Sequence, residues 1–276
     1  MSCAGNNPIR RAIGIIGGVG PYAGLDLIQK VFDNTNACSD QDHLEVYLLS
    51  CPCRVQDRTA YLMNRSLPNP GIEICNIIEK ASLIGADVIG IPCNTSHSPA
   101  IFDVLVSYIE KRKIKVRLLH MIQETLGHVR RCRPDIRRIG LLCTLGTYHS
   151  GVYQQVFQAA GYEILAPDDD GKHQVHEAIY HKAFGIKSFS NPVTEPARRM
   201  LREAADRLTE AGAESIILGC TEIPLALSPS DVQAPLIDPT DILARALIRE
   251  VDGSKLKARP LAVRVGDAEV KHGMAV

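Results

Sequence analysis

The chain carries no excess of either charge: 31 Lys and Arg stand against 31 Asp and Glu, for a formal net charge of zero. That balance suits no polyanionic partner, so nucleic-acid binding is not expected. Long apolar runs are missing too, and with them any expectation of a membrane-spanning helix. The opening Met-Ser-Cys-Ala-Gly-Asn-Asn-Pro lacks the apolar stretch of a secretion signal, and residues 1–11 read as a frayed leader. The expected location is cytoplasmic. Close, regular cysteine spacing is also absent. Nine cysteines lie scattered over 276 residues, which excludes a disulfide scaffold. Cys3, Cys38, Cys75, Cys132 and Cys143 are expected to be reduced, buried and inert. Cys51-Pro52-Cys53 has no second pair with which to build a zinc site. His173 and His176 can share a helical face, but no carboxylate or cysteine at ligand spacing completes a metal site there, so a solvated face is expected.

What is present is ordinary globular composition, 45% hydrophobic and 22% charged, with enough length for a substantial core. Apolar strands alternate with helical patterns throughout. Ala12 to Ile16 reads as a strand, Gly17 to Pro21 as a glycine loop, and Tyr22 to about Asn34 as a helix. Further strands are expected at Leu44–Ser50, Val88–Ile91, Val116–Leu119, around Ile139–Leu142, at Tyr162–Leu165 and at Leu236–Asp238. Helices are expected over Ile72–Ile84, Ala100–Glu110, Met121–Val129, Gly151–Ala160 and Glu195–Ala211, with a last one capped by Thr240 and ending near Glu250. The tail after Asp252 has no pattern. Such alternation implies an α/β fold whose parallel sheets are covered on both faces.

One stretch is written twice. Gly85, Ala86 and Cys93 recur at constant spacing as Gly212, Ala213 and Cys220, and Gly14 and Gly20 recur one residue closer as Gly140 and Gly146. This reads as an internal duplication: two pseudo-symmetric α/β subdomains, each with a first-strand loop and a cysteine turn. Ligands in such folds sit at the carboxyl ends of the strands. Cys93, Cys220, both first-strand loops and Thr147 are expected at those ends, around a cleft between the subdomains.

Two thiols facing one small ligand suit a particular task. One thiolate removes a proton from one face of a carbon and the other thiol returns a proton to the opposite face, inverting the centre. Contact with the reacting carbon on both sides would put the sulfurs roughly 6–7 Å apart, far beyond disulfide distance. Two other function classes compete. Gly18-x-Gly20-x-x-Ala23 formally matches a dinucleotide fingerprint, with Glu45 near the position for a ribose-binding acid, so a nicotinamide-dependent dehydrogenase is one alternative. Pro21 falls inside that fingerprint, however, and the second half repeats the loop without its glycines. The other alternative is a two-lobed amino-acid-binding protein without turnover, in which the thiols would have no purpose.

The sequence resembles the aspartate racemases of the aspartate/glutamate racemase superfamily, which work without pyridoxal phosphate. The resemblance runs from about Ile13 to Glu250 and is carried by residues 13–21 (IGIIGGVGP), 57–61 (DRTAY), 92–97 (PCNTSH), 146–153 (GTYHSGVY), 185–187 (GIK), 219–222 (GCTE) and 236–239 (LIDP). It implies that Cys93 and Cys220 are the acid/base thiols and that no cofactor is needed. It implies that Gly18, Val19, Asn94, Thr95 and Thr221 hold the α-amino and α-carboxylate groups. Arg58 and Lys187 match substrate positions of the family. Arg58 has the planar fork that suits a carboxylate, although a surface ion pair with Asp57 would also explain it. Glu222, also expected to bind substrate, stands where glutamate racemases carry histidine, which points to aspartate. The resemblance further implies a homodimer. It also implies that the last strand and helix return to the first half, giving subdomains of residues 1–115 plus about 236–276, and 116–235. Ser96 and Ser98 replace residues that are often alanine, and Cys51-Pro52-Cys53 replaces a stretch usually rich in asparagine or serine. Glutamate, hydantoins and maleate are therefore the alternative substrates.

Overall fold

The computed structural model describes residues 11–258. Most of the expected leader, Cys3, and the tail beyond residue 258 lie outside them. The first half runs β1 (Ala12–Gly17), α1 (Pro21–Asn34), β2 (Val46–Ser50), α2 (Arg58–Met63), α3 (Pro70–Leu83), β3 (Ala86–Gly90), α4 (Pro99–Arg112) and β4 (Arg117–Leu118). The second runs α5 (Met121–Cys132), β5 (Arg138–Leu142), α6 (Leu145–Ser150), α7 (Val152–Gln158), β6 (Glu163–Leu165), α8 (Asp169–Tyr180), α9 (Glu195–Glu210), β7 (Ser215–Leu218), β8 (Leu236–Ile237) and α10 (Pro239–Asp252). Proline opens α1, α3, α4 and α10, where its missing N–H costs nothing. Side-chain caps from Asp57, Asn69, Asp168 and Thr194 start α2, α3, α8 and α9, each of the kind that contributes about 1 kcal/mol.

Each half folds a four-stranded parallel sheet, in the orders β2-β1-β3-β4 and β6-β5-β7-β8. The duplication is thus a duplication of topology, and small residues recur because the strands meet in the same way. A side chain at Gly14 would run into Ile89 and Ala86, and one at Gly140 would crowd Ile216 and Ala213, the matching pair. In each sheet the strand order reverses between the first strand of the half and the strand that leads to the cysteine. Their carboxyl ends form the crevice where ligands of such sheets bind.

Apolar layers cover both faces of both sheets. The outer layer of the first sheet is completed by α10, whose Leu243 and Leu247 pack with Ile13, Ile15 and Val88. Truncating either leucine to alanine is expected to cost about 2–5 kcal/mol. So the last helix does return to the first half. The last strand does not: β8 pairs with β7 in the second sheet, while β4 pairs with β3 in the first. Both expected boundaries, at 116 and at 236, therefore shift past a strand, because backbone pairing at a sheet edge is invisible to hydrophobic pattern. The crossover at Asp238 is pinned. Asp238, not Thr240, caps α10 by accepting the Thr240 N–H, and its carboxylate pairs with Lys30 of α1 at 2.8 Å.

Smaller corrections follow from local geometry. The helix expected over Gly151–Ala160 is α7, and a further short helix, α6, precedes it, the two meeting at Gly151 with φ 62°. Cys38 and Cys132 are exposed, whereas Cys75 and Cys143 are buried as expected. After α10 the chain makes a turn, Gly253–Lys255, and Leu256 bridges Thr35 at the end of α1.

Candidate active site

Cys93 and Cys220 leave their strands in similar ways. After β3 the chain passes Ile91 and Pro92 and presents Cys93 in extended conformation ahead of a tight 3-10 turn, Asn94–His97. The turn is closed by the Ser96 N–H on the Cys93 carbonyl at 3.1 Å and by the His97 Nδ1–H on the same oxygen at 2.9 Å. After β7, Gly219 passes close to Leu141 and Cys143, and Cys220, Thr221 and Glu222 lead into the 3-10 turn Ile223–Leu225. Both cysteines are nearly buried, at 6% and 7% exposure, and both are free thiols.

They open onto one cavity between the halves. It is lined by Val19, Arg58, Asn94 and Thr95 from the first half and by Lys187, Thr221 and Glu222 from the second, with Thr144 and Tyr180 besides. Gly18 does not line it. Its place is structural, because its φ is 79° and a side chain there would strike the Cys51–Pro52 backbone. Gly20, at φ 123°, leaves room for the Glu222 carboxylate, 2.5 Å from where a β-carbon would stand. The glycines of the apparent dinucleotide fingerprint are thus accounted for by protein contacts, and Glu45 accepts the Tyr47 hydroxyl.

Arg58 is the first residue of α2 and is buried. It forms no ion pair with Asp57, which caps α2 and accepts the Tyr180 hydroxyl at 2.9 Å. The guanidinium donates to the Val19 carbonyl at 2.8 Å, and its Nε has no partner among the described residues. Burial works against its charge, but Cys93, Tyr180 and Asp57 outweigh burial and hold its pKa above the ordinary value. Asn94 is equally directed. Its Oδ1 accepts the hydroxyl of buried Tyr153 at 2.6 Å, which leaves its Nδ2 without a partner among the described residues. Two buried donors without partners, in a cavity wall, are the groups a carboxylate would satisfy.

Lys187 is carried on a loop that folds back onto α8, its N–H donating to the Ile179 carbonyl at 3.0 Å while Ile186 anchors in the core. Its ammonium meets Glu222 Oε1 at 2.6 Å and lies 5.1 Å from the Tyr180 ring centre. The other carboxylate oxygen, Oε2, accepts the Cys220 S–H at 3.0 Å. Burial, and then the Glu222 charge, push the Cys220 thiol well above its usual pKa. Burial would raise the pKa of Glu222 too, but Lys187 and the Cys220 hydrogen bond win and lower it.

Hydroxyls join the halves around the cavity. Thr95 meets Thr147 at 2.8 Å, Thr59 donates to Thr144 at 3.2 Å, and Thr221 donates to the Pro92 carbonyl at 3.2 Å. The cavity itself is about 10 Å³, roughly one water's worth. Admitting a larger molecule requires the halves to part or the lining side chains to turn. Three contributors were not assigned to the site from sequence. Tyr153 lies inside the 146–153 stretch that carries the resemblance, and Thr144 opens the second-half loop, so both had a signal. Tyr180 had none. Its ring is backed by His176, stacked at 4.4 Å, so that histidine is half-buried and not on a solvated face.

A cleft between two parallel-sheet lobes, with matching turns meeting across it, is the architecture of two-domain α/β racemases. Residues 16–247 match the Asp/Glu/Hydantoin racemase family model, and the chain belongs to that family. It is an isomerase of the racemase class. Among solved structures it is similar to an aspartate racemase from Picrophilus torridus, with a TM-score of 0.75 and 29% identity, covering 90% of this chain and 96% of that one. It is 25% identical to the broad specificity amino-acid racemase RacX of Bacillus subtilis over 243 residues, 86% of this chain and 96% of the relative. A glutamate racemase from Francisella tularensis, solved with D-glutamate, shares the fold at a TM-score of 0.61 and 15% identity, covering 91% of this chain and 85% of that one.

Proposed function

We propose that this enzyme interconverts L- and D-aspartate through Cys93 and Cys220, without a cofactor. The observation that carries the proposal is one thiol from each half opening onto one cavity that also holds Arg58 and Lys187. One thiolate takes the Cα proton, and the bonding pair stays on Cα, delocalised into the adjacent carboxylate. The opposite thiol gives its proton to the other face. The reverse reaction exchanges the roles.

The charge of the lining selects the substrate. Arg58 and Lys187 are cations among the lining residues, set against Glu222 and the thiolate that takes the Cα proton. Aspartate carries one net negative charge. A neutral amino acid offers only one carboxylate to these two cations. Arg58 and Asn94 Nδ2 are placed to receive carboxylate oxygens, and the Lys187 ammonium can be shared between Glu222 and a second carboxylate. The resemblance and the P. torridus relative favour aspartate over glutamate. On the same grounds we propose that the enzyme acts as a cytoplasmic homodimer.

The test is optical rotation of L-aspartate and of D-aspartate, separately, with purified enzyme and no added cofactor. Glutamate, alanine and a hydantoin serve as comparison substrates in the same assay, and maleate is followed by its ultraviolet absorbance. Aspartate is expected to lose rotation from both directions and alanine to be turned over at least ~100-fold more slowly. Equal rates on alanine, or turnover of the hydantoin or maleate only, would overturn the assignment.

A further inference from the structure

We propose that Glu222 acts as a positioning residue that keeps the proton on Cys220, so that the resting enzyme meets its substrate with Cys220 as the acid. The inference rests on the two-thiol reading above and assigns to Glu222 a part distinct from touching the substrate.

The geometry leaves little choice about where the proton sits. Glu222 Oε1 meets the Lys187 ammonium at 2.6 Å, and Oε2 lies 3.0 Å from the Cys220 sulfur. A carboxylate paired with an ammonium is ionised, and an ionised carboxylate only accepts. The hydrogen in the S···O contact is therefore the thiol's own. Removing it would set a thiolate against a carboxylate 3.0 Å away, a repulsion between buried like charges. Gly20 closes over the same carboxylate from the opposite half, because only a residue without a β-carbon fits beside Oε1. Cys93 has no such neighbour: among the lining residues its charged companion from the first half is Arg58. The two thiols are alike in exposure, at 6% and 7%, and unlike in what surrounds them.

When Cys220 has given its proton to Cα, its thiolate stands beside Glu222, with Lys187 as the nearby cation that makes the state reachable. Cys93 then holds the proton taken from the substrate. Returning to rest means that Cys93 loses a proton to solvent and Cys220 regains one. The handedness of the first encounter is set by which face of Cα meets Cys220.

The test is residue-resolved alkylation of the full chain with iodoacetamide, without any amino acid, from pH 6.5 to 10.5. Rates at Cys93 and Cys220 are read separately by peptide mass spectrometry. In the wild type, labelling of Cys220 should rise only at a pH above that at which a free thiol is labelled. In Glu222→Gln the Cys220 rate at pH 8 should increase about 10-fold or more, while the Cys93 rate changes less than about twofold. Glu222→Asp, which keeps the charge, should keep Cys220 slow. A wild-type midpoint at or below about 8.5 would overturn the proposal with no variant needed. So would an unchanged Cys220 rate in Glu222→Gln, or a parallel rise at both cysteines, which would report opening of the site. The labelling is independent of turnover. Failure to racemise aspartate leaves its outcome intact, and inversion with a readily labelled Cys220 sinks only the placement of the proton.

Discussion

Acid should destabilise this protein through the histidines beneath the Cys93 turn before its paired carboxylates begin to titrate. His97 is fully buried, donates to the Cys93 carbonyl, and stacks on Phe102 with His120 at 4.9 Å. Burial, reinforced by His120, lowers its pKa to about 3, and burial lowers that of His120 to about 4. Both are neutral when folded and take up protons on unfolding near pH 6.5. A folded pKa below the unfolded one means stability that is complete above about pH 6.5 and lost as the pH falls toward 4 and 3. At pH 5 each histidine lies about 1.5 units below its unfolded pKa, a loss of about 2 kcal/mol apiece. Carboxylates whose pKa is held down, such as Glu222, contribute only below about pH 4.5. Urea unfolding at pH 7.5 and pH 5 should therefore differ by at least about 4 kcal/mol in the wild type, and by about 2 less in His97→Gln. Equal stabilities at the two pH values, or an undiminished difference in His97→Gln, would mean that these histidines do not set the acid sensitivity.

Two further perturbations probe the walls of the cavity. Tyr153→Phe removes the hydroxyl that fixes the Asn94 amide and should cost about 1 kcal/mol of stability. By steady-state assay its KM for aspartate should rise about 10-fold with kcat within about threefold; an unchanged KM would deny Asn94 a part in binding. Gly20→Ala places a β-carbon 2.5 Å from Glu222 Oε1 at φ 123°, so the carboxylate must move. Aspartate turnover should fall by about 100-fold or more with about 1–3 kcal/mol of stability lost to backbone strain, and near-normal activity would mean that the Glu222 position is not critical.

Much of this molecule is legible in its residues because the same physics is written twice. Strands such as Ile13–Ile16 and Ile216–Leu218 are continuous apolar runs, and the prolines and caps mark where helices begin. The cysteine turns were legible because polar side chains follow a buried strand at the same point of each half. What was not legible depends on partners distant in sequence. Leu236–Ile237 joins the second sheet by backbone pairing with β7, which no side-chain pattern records. Tyr180 enters the site because α8 ends opposite Asp57, 123 residues away. Arg58 looked equally suited to an ion pair with its neighbour, and only the fold shows that Asp57 is already committed to a helix cap and to Tyr180.

The central claim is that both thiols act on one carbon from opposite faces. It is tested most directly by following the Cα proton of L-aspartate and of D-aspartate by NMR in heavy water, with wild type, Cys93→Ser and Cys220→Ser. Wild type should invert both enantiomers, with solvent deuterium in the inverted product, and each variant should lose inversion by about 100-fold or more. Inversion that survives loss of either cysteine, or that proceeds with the original proton fully retained in a single turnover, would contradict it.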